Sequence, residues 1–379
     1  MHRQNVIQIV PRLPPSIDGV GDYALNLARQ LRLAFGTETQ FIVGDPEWSA
    51  SPSIDGFRIG HITSRSASAL LSSLPKGRND SSVVVLHYVG YGYAKRGCPL
   101  WLVDGLERWL SGGRGRNLIV MFHEVYASGP CWTSSFWLSP TQRNLAARLV
   151  RLSSQIITSR AGYAEILRRL LPGKYRDIPV LPVFSNIGEP DQTPLPLSRR
   201  RQRLIVFGNR GHRQLVFKKS LTPLRHTCRA LGIEEVFDIG AFVEHDVTQV
   251  DNIPVIRTGV QPAHRISALL SDAIVGFFDY PTDYLSKSTI FAAYCAHRLL
   301  PVGVYRREQT ADDLRNNHHF WLADRYDGEW SLVAGQVVAD NAYNWYQDHN
   351  LRTQAEVFAA YITAHASART QVEFLETTV

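Results

Sequence analysis

The feature that most restricts the fold is a run without a polar residue, Leu118-Ile119-Val120-Met121, closed by Phe122 and followed at once by His123 and Glu124. A strand with no alternation has to be covered on both faces, and parallel α/β sheets meet that condition. Asn5 to Val10 reads as a buried strand, since Val6, Ile7, Ile9 and Val10 are strand formers closed by Pro11, and Gln40 to Val43 and Val83 to Leu86 look like further buried strands. Helical spacing separates them over Trp101 to Leu110, Ser139 to Leu152 and Arg160 to Leu171. Gln155 to Thr158 and Ile178 to Val183 complete this set of strands.

At Glu189-Pro190-Asp191-Gln192-Thr193-Pro194-Leu195-Pro196 the texture turns polar and proline-interrupted, and then the same grammar restarts. Leu204 to Phe207, Val236 to Ile239 and Ala273 to Phe278 read as strands; Leu215 to Leu231, Pro262 to Leu270 and Ser288 to His297 read as helices. Phe320 to Leu322 is a further strand candidate, and helical spacing returns after Ala339. With 379 residues, 44% of them apolar, the chain has material for two to three cores. Residues 1–190 and 201–340 are therefore expected to be two α/β domains in tandem, with terminal helices over 341–379.

Forty-one Lys and Arg against 34 Asp and Glu leave a net charge of +7, which favours anionic partners. The densest basic run, Arg199-Arg200-Arg201-Gln202-Arg203, contains no aromatic residue, so no nucleic-acid partner is expected. Cys98, Cys131, Cys228 and Cys295 match neither a paired zinc spacing nor a disulfide framework, and read as isolated buried thiols of a reducing, cytoplasmic setting. No run of eighteen apolar residues occurs, so membrane contact would be peripheral. Arg168, Arg169, Lys174, Tyr175 and Arg176 around Leu167, Leu170 and Leu171 form a basic, partly amphipathic stretch suited to an anionic membrane, or to the solvated rim of an ordinary helix.

Four places could carry chemistry. Ser16-Ile17-Asp18-Gly19-Val20-Gly21-Asp22 joins the first strand to a helix that Asp22 could cap; its glycines suit either a tight turn or close approach of a ligand. Ala24 stands where a dinucleotide fingerprint needs its third glycine. His123 and His87 both follow apolar strands, at the edge where open parallel sheets bind ligands. Phe207-Gly208-Asn209-Arg210-Gly211-His212-Arg213, with Lys218 and Lys219 beyond it, offers cations for a diphosphate. Ser286, Lys287, Ser288 and Thr289, at a helix start after Asp279 to Leu285, make a phosphate nest or an ordinary cap. No protein metal site is indicated, since His318 and His319 are adjacent and no ligand triplet occurs; no Gly-x-Ser-x-Gly elbow is present either.

With these marks, together with Phe184-Ser185-Asn186 and the stretch from Leu285 to Val302, the chain resembles over nearly its full length a glycosyltransferase of the GT-B architecture. Within it the closest likeness is to the large retaining, family 4-like group of sucrose-synthase-like and mannosyltransferase-like enzymes, bacterial polysaccharide type. The resemblance implies an α/β fold of two Rossmann-like domains facing across a cleft, the first binding acceptor and the second nucleotide sugar, with the terminal helices crossing back to the first. It implies transfer of a sugar from a nucleotide-sugar donor, UDP-glucose or a related UDP-hexose, to a glycan or lipid-linked oligosaccharide acceptor. The alternative is a non-catalytic nucleotide- or sugar-binding scaffold. Gly19 and Gly21 would lie against acceptor and donor phosphate, His123 beside the transferred sugar, and Arg210 or Arg213 with Lys218 or Lys219 on the diphosphate. Ser286, Lys287, Ser288 and Thr289 would meet the same diphosphate, Gly259-Val260-Gln261-Pro262 the base, and no cofactor beyond the donor is implied. The family's second glutamate has no counterpart near Ala292, Ala293 and Tyr294, while Asp279 or Asp283 can stand for the first.

Overall fold

The computed structural model describes residues 5–77, 82–113, 115–127, 130–306 and 311–376. They fall into two compact units, one running to Leu181 and resuming at Leu351, the other Pro182–Asn350. In the first unit the elements are β1 (Asn5–Val10), α1 (Gly19–Phe35), β2 (Glu38–Val43), β3 (Ser53–Ile54), β4 (Phe57–His61), α2 (Ala67–Ser73), β5 (Val83–Tyr88), α3 (Gly90–Tyr93), α4 (Leu100–Ser111), β6 (Asn117–Phe122), α5 (Ser134–Leu152), β7 (Gln155–Thr158) and α6 (Ala161–Leu170). In the second they are β8 (Arg201–Phe207), α7 (Arg210–Lys219), α8 (Leu221–Ala230), β9 (Glu235–Ile239), β10 (Gln249–Val250), β11 (Ile253–Gly259), α9 (Ala263–Ser271), β12 (Ala273–Phe278), α10 (Thr289–Ala296), β13 (Leu300–Gly303), β14 (Trp321–Leu322) and α11 (Leu332–Gln347). The last helix, α12 (Leu351–Glu376), belongs to the first unit.

Among the described residues each unit holds one seven-stranded sheet, ordered β3-β4-β2-β1-β5-β6-β7 and β10-β11-β9-β8-β12-β13-β14. The edge pairs β3–β4 and β10–β11 are antiparallel and the other neighbours parallel. Without the antiparallel edge strand, both sheets run 3-2-1-4-5-6 in order of appearance, the doubly wound arrangement. The strand order reverses between β1 and β5 and between β8 and β12, so crossover loops leave those strand ends in opposite directions. β5, β6 and β12 are buried at every residue, as unbroken apolar runs require.

Several expectations need correction. The single helix over Leu215 to Leu231 is two, because Pro223 lacks the N–H that would continue the first; α7 ends at Lys219, and the hydroxyl of its capping residue Ser220 turns inward to Asp279. Ile178 to Val183 is not a strand: Pro179 and Pro182 carry no donor, and only a bridge between Thr158 and Val180 forms. The first unit stops at Leu181 rather than residue 190. Beyond it the chain is tied to the second unit, with Val183 N–H donating to Ser286 O at 2.8 Å, Ser185 N–H to the Tyr346 hydroxyl at 3.1 Å, and that hydroxyl to Glu189 at 2.6 Å. At the far end α11 also stays with the second unit, where Val338 and Ala339 join the core, so only the residues from Leu351 return. Of the four thiols Cys228 and Cys295 are buried, Cys98 is half-buried and Cys131 is exposed; all are free.

α1 is capped by Asp18, not Asp22: the Asp18 carboxylate accepts from the N–H groups of Val20 and Gly21, each at 3.0 Å. Gly21 lets α1 lie directly on the preceding loop, since a Cβ there would stand 2.0 Å from the Arg12 carbonyl oxygen. Gly162, near the start of α6, has open space around its Cβ position. Gly21→Ala should therefore cost roughly 3 kcal/mol or more in a urea melt. Gly162→Ala should be neutral or gain up to about 0.5 kcal/mol.

Candidate functional site

In the second unit the strand ends beside the reversal point, those of β8 and β12, carry most of the polar groups the sequence singled out. β8 ends at Gly208, whose φ of +133° suits only glycine; a Cβ there would lie 2.3 Å from Ile290 Cδ1. The turn into α7 therefore lies directly against the first turn of α10. Two helix N-termini meet at this point, the first capped by the Asn209 side chain accepting from His212 N–H at 2.9 Å, the second by the Ser288 hydroxyl accepting from Phe291 N–H at 3.2 Å. Arg210 is the first residue of α7 and is exposed; Thr289 is the first of α10 and is half-buried. Backbone N–H groups at both starts and the Arg210 guanidinium make this edge electropositive, the chemistry a phosphate selects.

Other sequence candidates are placed differently. Arg213 is 2% exposed and locked onto Asp238, itself fully buried, with Nε donating at 2.5 Å, and it also donates to the Ala241 carbonyl. It is a structural ion pair, joined by His245 at 3.2 Å from the same carboxylate, and no diphosphate can reach it without breaking the pair. Lys218 and Lys219 are exposed in the last turn of α7, about 12 Å along the axis from Arg210 and at the helix end that repels anions. The Ser286 hydroxyl donates to Asp312 and Ser286 is 1% exposed, so it serves the loop. Lys287 is half-buried with Nζ 5.9 Å from the Tyr284 ring centre. Asp279 is held by the Ser220 hydroxyl at 2.7 Å and by both ends of the Arg306 fork. Tyr294, where the family's second glutamate is absent, is fully buried and donates to the carbonyls of Ile205 and Phe277, pinning β8 to β12. Val260 is 66% exposed just past β11, whose Gly259 carbonyl accepts from Gly240 N–H at 3.0 Å.

Sequence reasoning assigned no role to His212. It is buried one turn into α7 with its ring 6.4 Å from that of Tyr280; burial drives its pKa down to about 4, against the pull of Asp279. The signal available was its place in the glycine-rich turn, four residues after Gly208.

In the first unit His123 follows β6 and is 8% exposed. His87, inside β5 rather than after it, is fully buried, and its Nδ1 lies 3.2 Å from His123 Nε2 while its Nε2 lies 2.8 Å from Gln8 Oε1. Burial pushes the His87 pKa down to about 3, so the ring is neutral. Its one proton goes to Gln8 Oε1, which leaves Nδ1 to accept; His123 must then carry its proton on Nε2. The Tyr23 ring packs edge-on against His123 with centroids 4.9 Å apart, and its hydroxyl donates to Gln354 Oε1 at 2.5 Å. Gln354 and Phe358, which stacks on His87, come from α12. Gly19 and Gly21 do not present a vacant helix start to phosphate. Asp18 already occupies it, and the Asp22 carboxyl beside it is raised to about 6, by burial first and then by Asp18. Among the described residues no group of three or more His, Cys, Asp or Glu side chains is placed to hold a metal ion.

No protein-family model and no curated protein matches this sequence. Solved structures match its fold over almost the whole chain. A glycosyltransferase from Rickettsia africae ESF-5 aligns with a TM-score of 0.58 at 11% identity, covering 97% of this chain and 99% of that one. An alpha-glucosyltransferase in complex with UDP-glucose and DNA containing an abasic site gives 0.55 at 10%, over 95% and 99%. The pneumococcal O-GlcNAc transferase in complex with UDP and GlcNAc gives 0.57 at 9%, over 97% and 100%. The fold is thus the GT-B type, with two Rossmann-like units.

Arg213→Ala should lower stability by about 3–5 kcal/mol, because it strands the buried Asp238. A variant that melted like the parent but lost affinity for UDP would instead place Arg213 at the ligand. His87 gives a pH signature. Its folded pKa of about 3 lies below the ordinary 6.5, so its contribution is complete above pH 6.5 and declines as pH falls toward 3, by up to about 1.4 kcal/mol per pH unit. Urea midpoints measured from pH 7.5 to 5 should fall less steeply for His87→Gln than for the parent.

Proposed function

We propose that this chain is a retaining, nucleotide-sugar-dependent glycosyltransferase of the sucrose-synthase-like and mannosyltransferase-like group. Its donor is a UDP-hexose and its acceptor a glycan or lipid-linked oligosaccharide in polysaccharide synthesis. One observation carries the reading: Gly208 brings the starts of α7 and α10 together at the reversal point of the second sheet, with the exposed Arg210 on one of them. That arrangement suits a diphosphate, and a diphosphate is the leaving group of a nucleotide sugar.

In the proposed reaction the bond from the sugar's anomeric carbon to the diphosphate oxygen breaks while the acceptor hydroxyl oxygen bonds to the same carbon from the same face. The hydroxyl proton passes to the departing diphosphate oxygen, so no strong protein base is needed. Arg210 and the N–H groups of the two helix starts stabilise charge that grows only as the bond breaks, which is where binding accelerates chemistry. His123, with its tautomer set by His87, would sit beside the transferred sugar. Val260 and the turn at Gly259 border the base.

Tyr294 supports a second reading. Neither its hydroxyl nor its buried neighbours Ala292 and Ala293 can hold a ribose as an acidic side chain would, which suits a nucleotide-binding scaffold without turnover. Release of UDP from a panel of UDP-sugars separates the two. Acceptors should include glycans, lipid-linked sugars and DNA containing a HMU base, the last because a similar alpha-glucosyltransferase structure is in complex with UDP and such a 13-mer. The enzyme reading predicts UDP release with at least one acceptor; UDP binding with the donor intact throughout supports the scaffold, and no UDP binding removes both. In the active pairing Arg210→Ala should lower kcat/KM by about 100-fold to 1,000-fold. Lys218→Ala and Lys219→Ala should stay within about twofold, since surface charges this far from the diphosphate are screened.

A further inference from the structure

Within the basic stretch suited to a membrane, Arg176 is exposed while three other cations are engaged in the fold. Arg168 and Arg169 pair with Glu165 at 2.9 and 2.8 Å, and Lys174 Nζ donates to the carbonyls of Val150, Arg151 and Ser153, closing the end of α5. The other end of α5 is different. The helix begins at Ser134, five residues ahead of the expected Ser139, and its first turns carry Phe136 and Trp137 at 45% and 70% exposure, with Trp132 at 82% just before them. Pro140 has no N–H for the Phe136 carbonyl, and burial in the helix starts only at Gln142. The aromatic end therefore projects from the unit while Leu145, Ala146, Leu149 and Val150 hold the rest of the helix in the core.

Charge identifies the partner. No Asp or Glu occurs from Val125 to Ala164, and Arg143 lines the same open groove as Phe136, Trp137, Ser139, Pro140 and Leu170. Arg148, further along α5, is neutralised by Asp104 and Glu107. A nucleic-acid strand would need a row of cations tracking its backbone, whereas this surface has two indoles, a phenyl ring and one lining arginine. Indoles seat at the level of lipid headgroups, and an acid-free, weakly cationic rim is attracted to anionic lipid.

We propose that the N-terminal turns of α5, with Trp132, Phe136, Trp137 and Arg143, are a docking surface for a bilayer containing anionic phospholipid. Among the described residues no helix is long and apolar enough to cross a membrane, so the contact is peripheral. Lipid binding by this surface is tested without turnover.

The test uses the full chain with vesicles of phosphatidylcholine alone and of phosphatidylcholine mixed with phosphatidylglycerol, read by cosedimentation and by the indole fluorescence shift. The parent should bind the anionic vesicles more tightly, and the combined variant Trp132→Ala, Phe136→Ala, Trp137→Ala should bind them at least about tenfold more weakly while melting as the parent does. Phe242→Ala, which removes a 70% exposed ring of the second unit, should bind like the parent. The proposal is overturned if the parent does not bind vesicles, or if the combined variant binds as well as the parent. It is equally overturned if the three rings prove to hold two copies together, seen as a dimer that the combined variant dissociates without any lipid binding.

Discussion

The arrangement at the second unit's strand ends depends on one missing side chain. Gly208 has a backbone conformation that a Cβ would strain and lies against the Ile290 side chain, so glycine at that position lets the turn into α7 pack closely on the start of α10. From this close approach follow the pairing of two helix starts and the position of Arg210 on the first. Tyr294, threaded between β8 and β12, and the Asp279–Arg306–Ser220 cluster brace the same edge from below. These groups stiffen the cradle, and none of them is spare for a ligand.

The first unit solves a different problem. Three polar side chains, Gln8, His87 and His123, lie in or at the end of a fully covered parallel sheet, where an unpaired polar group costs about 1–3 kcal/mol. His87 bonds to both of the others while Gln8 Nε2 stays without a partner, and the neutral His87 decides which nitrogen of His123 carries the proton. α12 closes the cluster with Gln354 and Phe358, so the chain returns from building the second unit to complete the polar core of the first. A histidine with a set tautomer is of use wherever a sugar hydroxyl must be held in one orientation, which links this packing solution to the proposed chemistry.

Much of the fold is legible in the sequence because parallel strands covered on both faces announce themselves as apolar runs; β5, β6, β8 and β12 were readable in this way, and β1 from its strand formers on either side of Gln8. β11 was not, since Ile253-Pro254-Val255-Ile256-Arg257-Thr258 is only partly buried and interrupted by proline, and its pairing is decided by β9. The site was readable in its backbone and misread in its side chains. Gly208 and the start of α10 emerge from the pattern of strand, glycine and cap, but composition near a turn does not tell which cation has a buried carboxylate waiting for it. Arg210 and Arg213 are three residues apart in one helix; the second faces Asp238, which lies 25 positions further along the chain. Likewise Asp18 rather than Asp22 caps α1, a choice set by backbone angles that the two aspartates do not reveal in a string of letters.

The central claim is that the two helix starts gathered by Gly208 form a diphosphate site. Amide hydrogen exchange of the whole chain, compared with and without saturating UDP, tests it most directly. The account predicts slowed exchange concentrated at residues 208–212 and 288–291, with Arg210→Ala weakening that protection. Undiminished exchange in both segments at a UDP concentration that demonstrably binds, with protection elsewhere, would contradict it.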